Sequence, residues 1–85
     1  MSETMKQVQD VLRNVFDDDE LTIEPATTSA DIDGWDSMMH INVIIAVERK
    51  FGVRFAAAES NAIKEPGQNL GTFCALVDRK LAAKA

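Results

Sequence analysis

Gly34 to Phe55, GWDSMMHINVIIAVERKFGVRF, is the stretch whose reading decides the fold. Its apolar residues recur at the three- and four-residue spacing of a helix, not the alternation of a strand. The spacing predicts a helix from Ser37 to about Lys50 that stops at Phe51-Gly52, with Gly52 as a left-handed terminator. At about 100° per residue, Val43, Ile44, Val47 and Phe51 fall within a sector of roughly 100°, the width of a normal core stripe. Met38, Ile41 and Ile45 fall within a second sector of roughly 60° that points broadly the other way. A helix in so short a chain cannot easily bury two faces. The second stripe is either covered by the preceding loop or, the reading favoured here, partly exposed as a patch for docking other proteins. Methionine suits such a patch because its side chain repacks easily.

Working outward, Ser2 to Phe16 places Met5, Val8, Val11, Leu12, Val15 and Phe16 at helical spacing, with Ser2 or Thr4 as a cap. The acidic run Asp17 to Glu20 is a poor helical continuation and reads as a solvated turn. It opens a connection to Asp36 that is long for a small domain. Leu21, Ile23, Ile32 and Trp35 are candidate anchors that would lay this loop over the other helices. Ala56 to Glu65 reads as a short third helix ended by Pro66-Gly67. Asn69 is the expected cap of a last helix with Leu70, Phe73, Cys74, Val77 and Leu81 on one stripe. The expected fold is all-α: an irregular four-helix bundle with a long first loop and a short third helix, residues 1–85 forming one domain.

Composition narrows the function. The chain has 85 residues, 46% hydrophobic and 27% charged, and a net charge of −5. That balance fits a globular protein and not a disordered one. It argues against nucleic acid as a partner, because the phosphate backbone needs clustered positive charge. One cysteine, Cys74, excludes an intramolecular disulfide and reads as a small core residue. Met1 to Asp10 is too polar for a signal peptide, and no apolar run approaches a membrane span. A cytoplasmic monomer is the expectation.

Among candidate chemical groups, Ser37 stands out at the start of an apolar helix. His40, three residues on, is either a base for Ser37 or a structural histidine. The structural role is favoured because no orienting group or oxyanion site accompanies the pair. Asp31, Asp33 and Asp36 lack the remainder of a calcium-loop pattern. No catalytic constellation emerges, so the chain is not expected to be an enzyme.

The string from Gly34 to Phe55, centred on Asp36-Ser37-Met38, resembles the acyl carrier protein family and its Asp-Ser-Leu attachment motif. The order of elements resembles that family too: a helix, a long loop, a helix opening with the serine, a short third helix and a final helix. The resemblance implies that Ser37 receives 4′-phosphopantetheine from coenzyme A through a phosphopantetheinyl transferase. It implies an acyl group held as a thioester on the arm's thiol and presented to acyl-loading and acyl-processing enzymes. An aminoacyl or peptidyl cargo is the variant within the same reading. An unmodified interaction module docking through Met38, Ile41 and Ile45 is the alternative outside it. On this resemblance Asp36, Trp35, Met38, Ile41, Ile45 and Glu48 are the expected partner-recognition residues, with Trp35 also a candidate anchor for the loop.

Two departures from the family pattern bear on the pathway. Met38 replaces leucine, a volume-conserving exchange. The helix after Ser37 carries Glu48, Arg49 and Lys50, where carriers of fatty-acid synthesis are typically rich in acids. The resemblance as a whole spans fatty-acid, polyketide and specialised-lipid synthesis. These departures point within it to a stand-alone carrier for a dedicated pathway, such as polyketide, modified-lipid or amino-acid-derived product synthesis. Val8, Leu12, Val43, Val47, Ile63 and Val77 would line the bundle interior, either as an ordinary filled core or as shelter for an acyl chain.

Overall fold

Four stretches of helical periodicity become four helices in the computed structural model, which describes residues 3–84. They are α1 (Glu3–Val15), α2 (Ser37–Phe51), α3 (Ala57–Ala62) and α4 (Leu70–Lys84), with a single 3₁₀ turn, Ser29–Asp31, inside the first loop. No strand occurs among the described residues. α1 contributes Met5, Val8, Val11 and Leu12 to the core, α2 contributes Val43, Ile44, Val47 and Phe51, and α4 contributes Leu70, Phe73, Cys74 and Val77. Ile23 from the loop, Val53 and Ile63 complete it. The six expected interior residues are all buried and belong to this core.

The helix ends follow from local chemistry. α1 closes on Asp17, whose φ of 52° is left-handed. The Asp17 amide donates to Asn14 O at 3.4 Å and the Asp18 amide to Arg13 O at 3.0 Å, the paired bonds of a Schellman motif. Aspartate is one of the few side chains that visit this conformation readily, so the acidic turn also terminates the helix. α2 closes the same way on Gly52 (φ 67°), with the Val53 amide on Glu48 O at 3.2 Å. Ser2, one of the two caps expected for α1, lies outside the described residues. Thr4, the other, sits inside the helix, and its hydroxyl bonds Asp78 of α4.

α3 is shorter than expected. It ends at Ala62, after which the Lys64 and Glu65 amides bond carbonyls only three residues back. Pro66 disfavours helical geometry at Glu65, and Ile63 is the one residue of this segment in the core, so packing gives little reason to continue. Lys80 of α4 fastens α3 through an ion pair with Glu59 at 2.7 Å, which also holds the Glu59 carboxyl below its usual range.

The first loop is ordered by its own anchors. Ile23 is fully buried, and Leu21, Ile32 and Trp35 pack partly buried against the core. Arg13 Nε donates to Leu21 O at 2.7 Å, and Gln9 Oε1 accepts the Ile23 amide at 3.0 Å. Farther along, Thr27 O and Pro25 O accept the first amides of α4, Leu70 and Gly71, at 2.8 and 2.9 Å. The loop therefore helps cap α4 together with Asn69, whose Oδ1 takes the Thr72 amide at 2.9 Å. This bracing delivers Asp36 and Ser37 to a fixed place.

Candidate functional site

The site begins with how the chain enters α2. Gly34 takes a φ of 86°, a left-handed turn that a side chain would strain, and Trp35 follows as the anchor. The Trp35 ring packs on Phe16 with centroids 5.6 Å apart, and its indole N–H donates to His40 Nδ1 at 3.1 Å. Asp36 is extended and is the N-cap: its Oδ1 accepts the Met39 amide at 2.8 Å, while its carbonyl accepts the His40 amide at 2.8 Å. Ser37 is the first helical residue and is exposed. Its hydroxyl, its amide and the Met38 amide have no hydrogen-bond partner among the described residues.

His40 is the buried polar residue of the core, 6% exposed. Indole is only a donor, so Nδ1 must be the acceptor, which places the proton on Nε2. That Nε2–H donates to Ser60 O at 2.6 Å. The ring is thus held neutral with both nitrogens used, and burial lowers its pKa below 6.5 against the opposing pull of the Ser60 carbonyl. A histidine in this state cannot act as a base toward the exposed Ser37 hydroxyl. The hydrolase arrangement is absent; His40 ties the loop's tryptophan to α3 instead. Nothing in the sequence pointed to Ser60, because its backbone carbonyl, not its side chain, is the partner.

The second stripe of α2 is open. Met38 is 74% exposed, Ile41 59% and Ile45 41%, and the loop does not cover them. All three follow Ser37 along one side of the helix. Glu48 lies near the far end of this side, but its Oε2 accepts the Phe55 amide at 2.9 Å and holds the chain entering α3. The acidic trio does not converge. Asp31 Oδ2 accepts the Thr28 amide at 2.9 Å to close the 3₁₀ turn, Asp36 caps α2 and Asp33 is exposed. No group of three His, Cys, Asp or Glu side chains suited to a metal ion occurs among the described residues. Burial, with Asp78 adding to it, pushes the Cys74 thiol up to about 11, which leaves it unreactive at neutral pH.

The arrangement suits an attached phosphate. Two unpartnered amides at a helix N-terminus and the positive end of its dipole favour an anion on the Ser37 oxygen.

No family model matches the chain. Among curated proteins it is similar to acyl carrier protein AcpXL of Brucella melitensis, 30% identical over 91 aligned positions that cover 99% of this chain and 98% of the relative. AcpXL of Rhizobium etli is 27% identical over 92 positions covering all of both chains. Among solved structures, the solution structure of a holo acyl carrier protein from Geobacter metallireducens matches with a TM-score of 0.83 and 36% identity. The match covers 98% of this chain and 91% of that one. Full-length similarity, the shared helical architecture and an exposed serine opening α2 agree, and the chain belongs to the acyl carrier protein family.

Proposed function

We propose that Ser37 is the attachment residue and that residues 1–85 act as one carrier domain. The observation that carries this reading is the Ser37 hydroxyl itself, exposed and unpartnered at the N-terminus of α2 beside two free amides. As a carrier of this family the protein is not an enzyme, and its cofactor is covalent 4′-phosphopantetheine. The hydroxyl oxygen of Ser37 forms the phosphodiester bond as the pyrophosphate link of coenzyme A breaks and the adenosine bisphosphate portion leaves. The hydroxyl proton passes to a base of the transferase, since no base of this chain reaches it. The arm's thiol supplies the thioester to the acyl group, and the chain's own residues anchor and present it.

Partners are acyl-handling enzymes. Their contacts centre on Met38, Ile41 and Ile45, with Asp36 and Trp35 flanking the serine. Glu48 has a smaller part, because one of its oxygens is already engaged by Phe55. A monomer serving a specialised pathway fits the short acid content of α2, which has no acidic residue in its first turn.

The test is incubation with coenzyme A and a promiscuous phosphopantetheinyl transferase, followed by intact-mass spectrometry. Wild type gains one phosphopantetheine, and Ser37→Ala gains none while melting at the same temperature. Loading of the Ser37→Ala variant, or a folded wild type that never accepts the group, would overturn the assignment.

A further inference from the structure

The exposed side of α2 does not end at Ile45. Arg49 falls on the same stripe, within a sector of roughly 80° that also holds Met38, Ile41 and Ile45. Arg49 and Arg54 border one side of Ile45, in a groove shared with Glu48, and Arg49 and Lys50 border the other, in a groove shared with Asn42 and Val11. Lys84 from the end of α4 places its Nζ over Gly52, where an added Cβ would meet it at 2.6 Å. None of Arg49, Lys50, Arg54 and Lys84 has an ion-pair partner among the described residues; the ion pair found there joins Lys80 to Glu59. Among the residues lining these grooves the one carboxylate is Glu48, which the Phe55 amide already holds.

Cations in the last turn of a helix offset its dipole, and Arg49 and Lys50 do so here. Lys84 does the same for α4, but Arg54 lies outside both helices, in the segment between α2 and α3, and has no such role. The rest of the chain runs the opposite way. Asp18, Asp31 and Asp33 border one groove with Phe16, which packs on Trp35 beside the serine. The two ends of α2 are about 20 Å apart along its axis, beyond the screening length of about 8 Å at physiological salt. A partner reaching the far end of the stripe therefore meets positive charge, although the whole chain carries −5.

Resting on the carrier reading, we infer that the acyl-handling enzyme docked on α2 presents an acidic patch to Arg49, Lys50 and Arg54, next to an apolar patch for Met38, Ile41 and Ile45. The polarity fixes the direction of docking: acidic groups of the partner sit away from Ser37, and the arm's entry sits at the other end. A protein surface can match both signs along one helix. An anionic bilayer matches only the basic end and repels Asp33 and Asp36, so it is the poorer occupant.

The experiment loads the protein at Ser37 with a pantetheine bearing a bromoacyl electrophile, so that an active-site cysteine of a docked enzyme displaces bromide and becomes covalently joined. The enzyme captured from the native host is identified by mass spectrometry and purified. Its affinity for phosphopantetheine-bearing wild type, R49Q/K50Q/R54Q and R49E/K50E/R54E is then measured by fluorescence anisotropy at low and physiological salt. Glutamine at all three positions weakens binding about tenfold and flattens its salt dependence, and glutamate weakens it further. The glutamine variant keeps the helical circular dichroism, so its loss reports charge and not folding. Equal or tighter binding by the glutamate variant overturns the inference. So does loss by both variants of binding to phosphatidylglycerol vesicles while enzyme affinity is unchanged, which would assign the patch to a lipid surface. A protein that loads at Ser37 yet captures no enzyme overturns it as well; a protein that never loads overturns the carrier reading instead.

Discussion

Ile44 and Ile45 are neighbours in sequence and opposites in structure: Ile44 is 8% exposed and packs in the core, and Ile45 is 41% exposed on the open stripe. The same division runs the length of α2, with Val43, Val47 and Phe51 inward and Met38 and Ile41 outward. The inner face holds the bundle together, and its residues are constrained by shape. The outer face contributes little to folding, so its side chains are free to answer to partners. The proposed docking residues lie on the side of the helix that stability does not need.

Replacing inner residues should therefore cost far more than replacing outer ones. Ile44→Ala removes buried methyl groups and leaves a cavity, a loss of about 2–4 kcal/mol. For a domain of this size each kcal/mol lowers the melting temperature by about 4–8 °C, so thermal denaturation should show a large drop. Ile41→Ala should stay within about 0.5 kcal/mol of wild type. Similar losses at the two positions would break the distinction between the faces.

Asp36 and Ser37 pose the same contrast at smaller scale. Asp36→Ala removes the acceptor of the Met39 amide and should cost about 1 kcal/mol, read as a melting shift of several degrees. Ser37→Ala should cost nothing measurable, because the hydroxyl has no partner to lose. Gly52→Ala belongs with the first of these. Its left-handed backbone penalises a side chain by about 1 kcal/mol, and the Lys84 ammonium must also move aside.

Most of this division was legible in the sequence because helical periodicity reports directly on which side is buried. The core stripe, the open stripe, the Gly52 stop and the Asn69 cap all follow from residue type and spacing. What the sequence left open depended on contacts between distant segments. Whether the loop covered Met38, Ile41 and Ile45 turned on where it lands, and it lands on α1, on His40 at the inner side of α2 and at the start of α4 instead. The length of α3 was overestimated because six residues with little apolar content carry almost no periodic signal. For Glu48, an expected partner-recognition residue, nothing near it in the sequence announces that the Phe55 amide, seven residues on, will bond it. The cluster of Arg49, Arg54 and Lys84 needed the fold, which brings the last residues of α4 to the end of α2.

The smallest effect sharpens the comparison at the one polar residue on the inner face. His40 is neutral between Trp35 and Ser60, and burial, aided by the positive charge of Lys64, holds its pKa below 6.5. In the unfolded chain His40 takes up a proton near that ordinary value, whereas the folded chain resists it. The unfolded state thus binds more protons in the window below 6.5, and stability must rise with pH across it. His40's contribution is full above the unfolded pKa and is lost as pH falls through the lower folded value. Protonation turns Nδ1 into a donor facing the donor N–H of Trp35, so the indole bond breaks first. Trp35 is the only tryptophan, and its fluorescence should titrate with a midpoint below 6.5. Between about pH 7.5 and pH 5.5 the melting temperature of wild type should fall more than that of His40→Gln, which has nothing to titrate at this position. A midpoint at or above 6.5, or equal falls for both proteins, would mean that the tie between loop and α3 does not depend on a neutral imidazole.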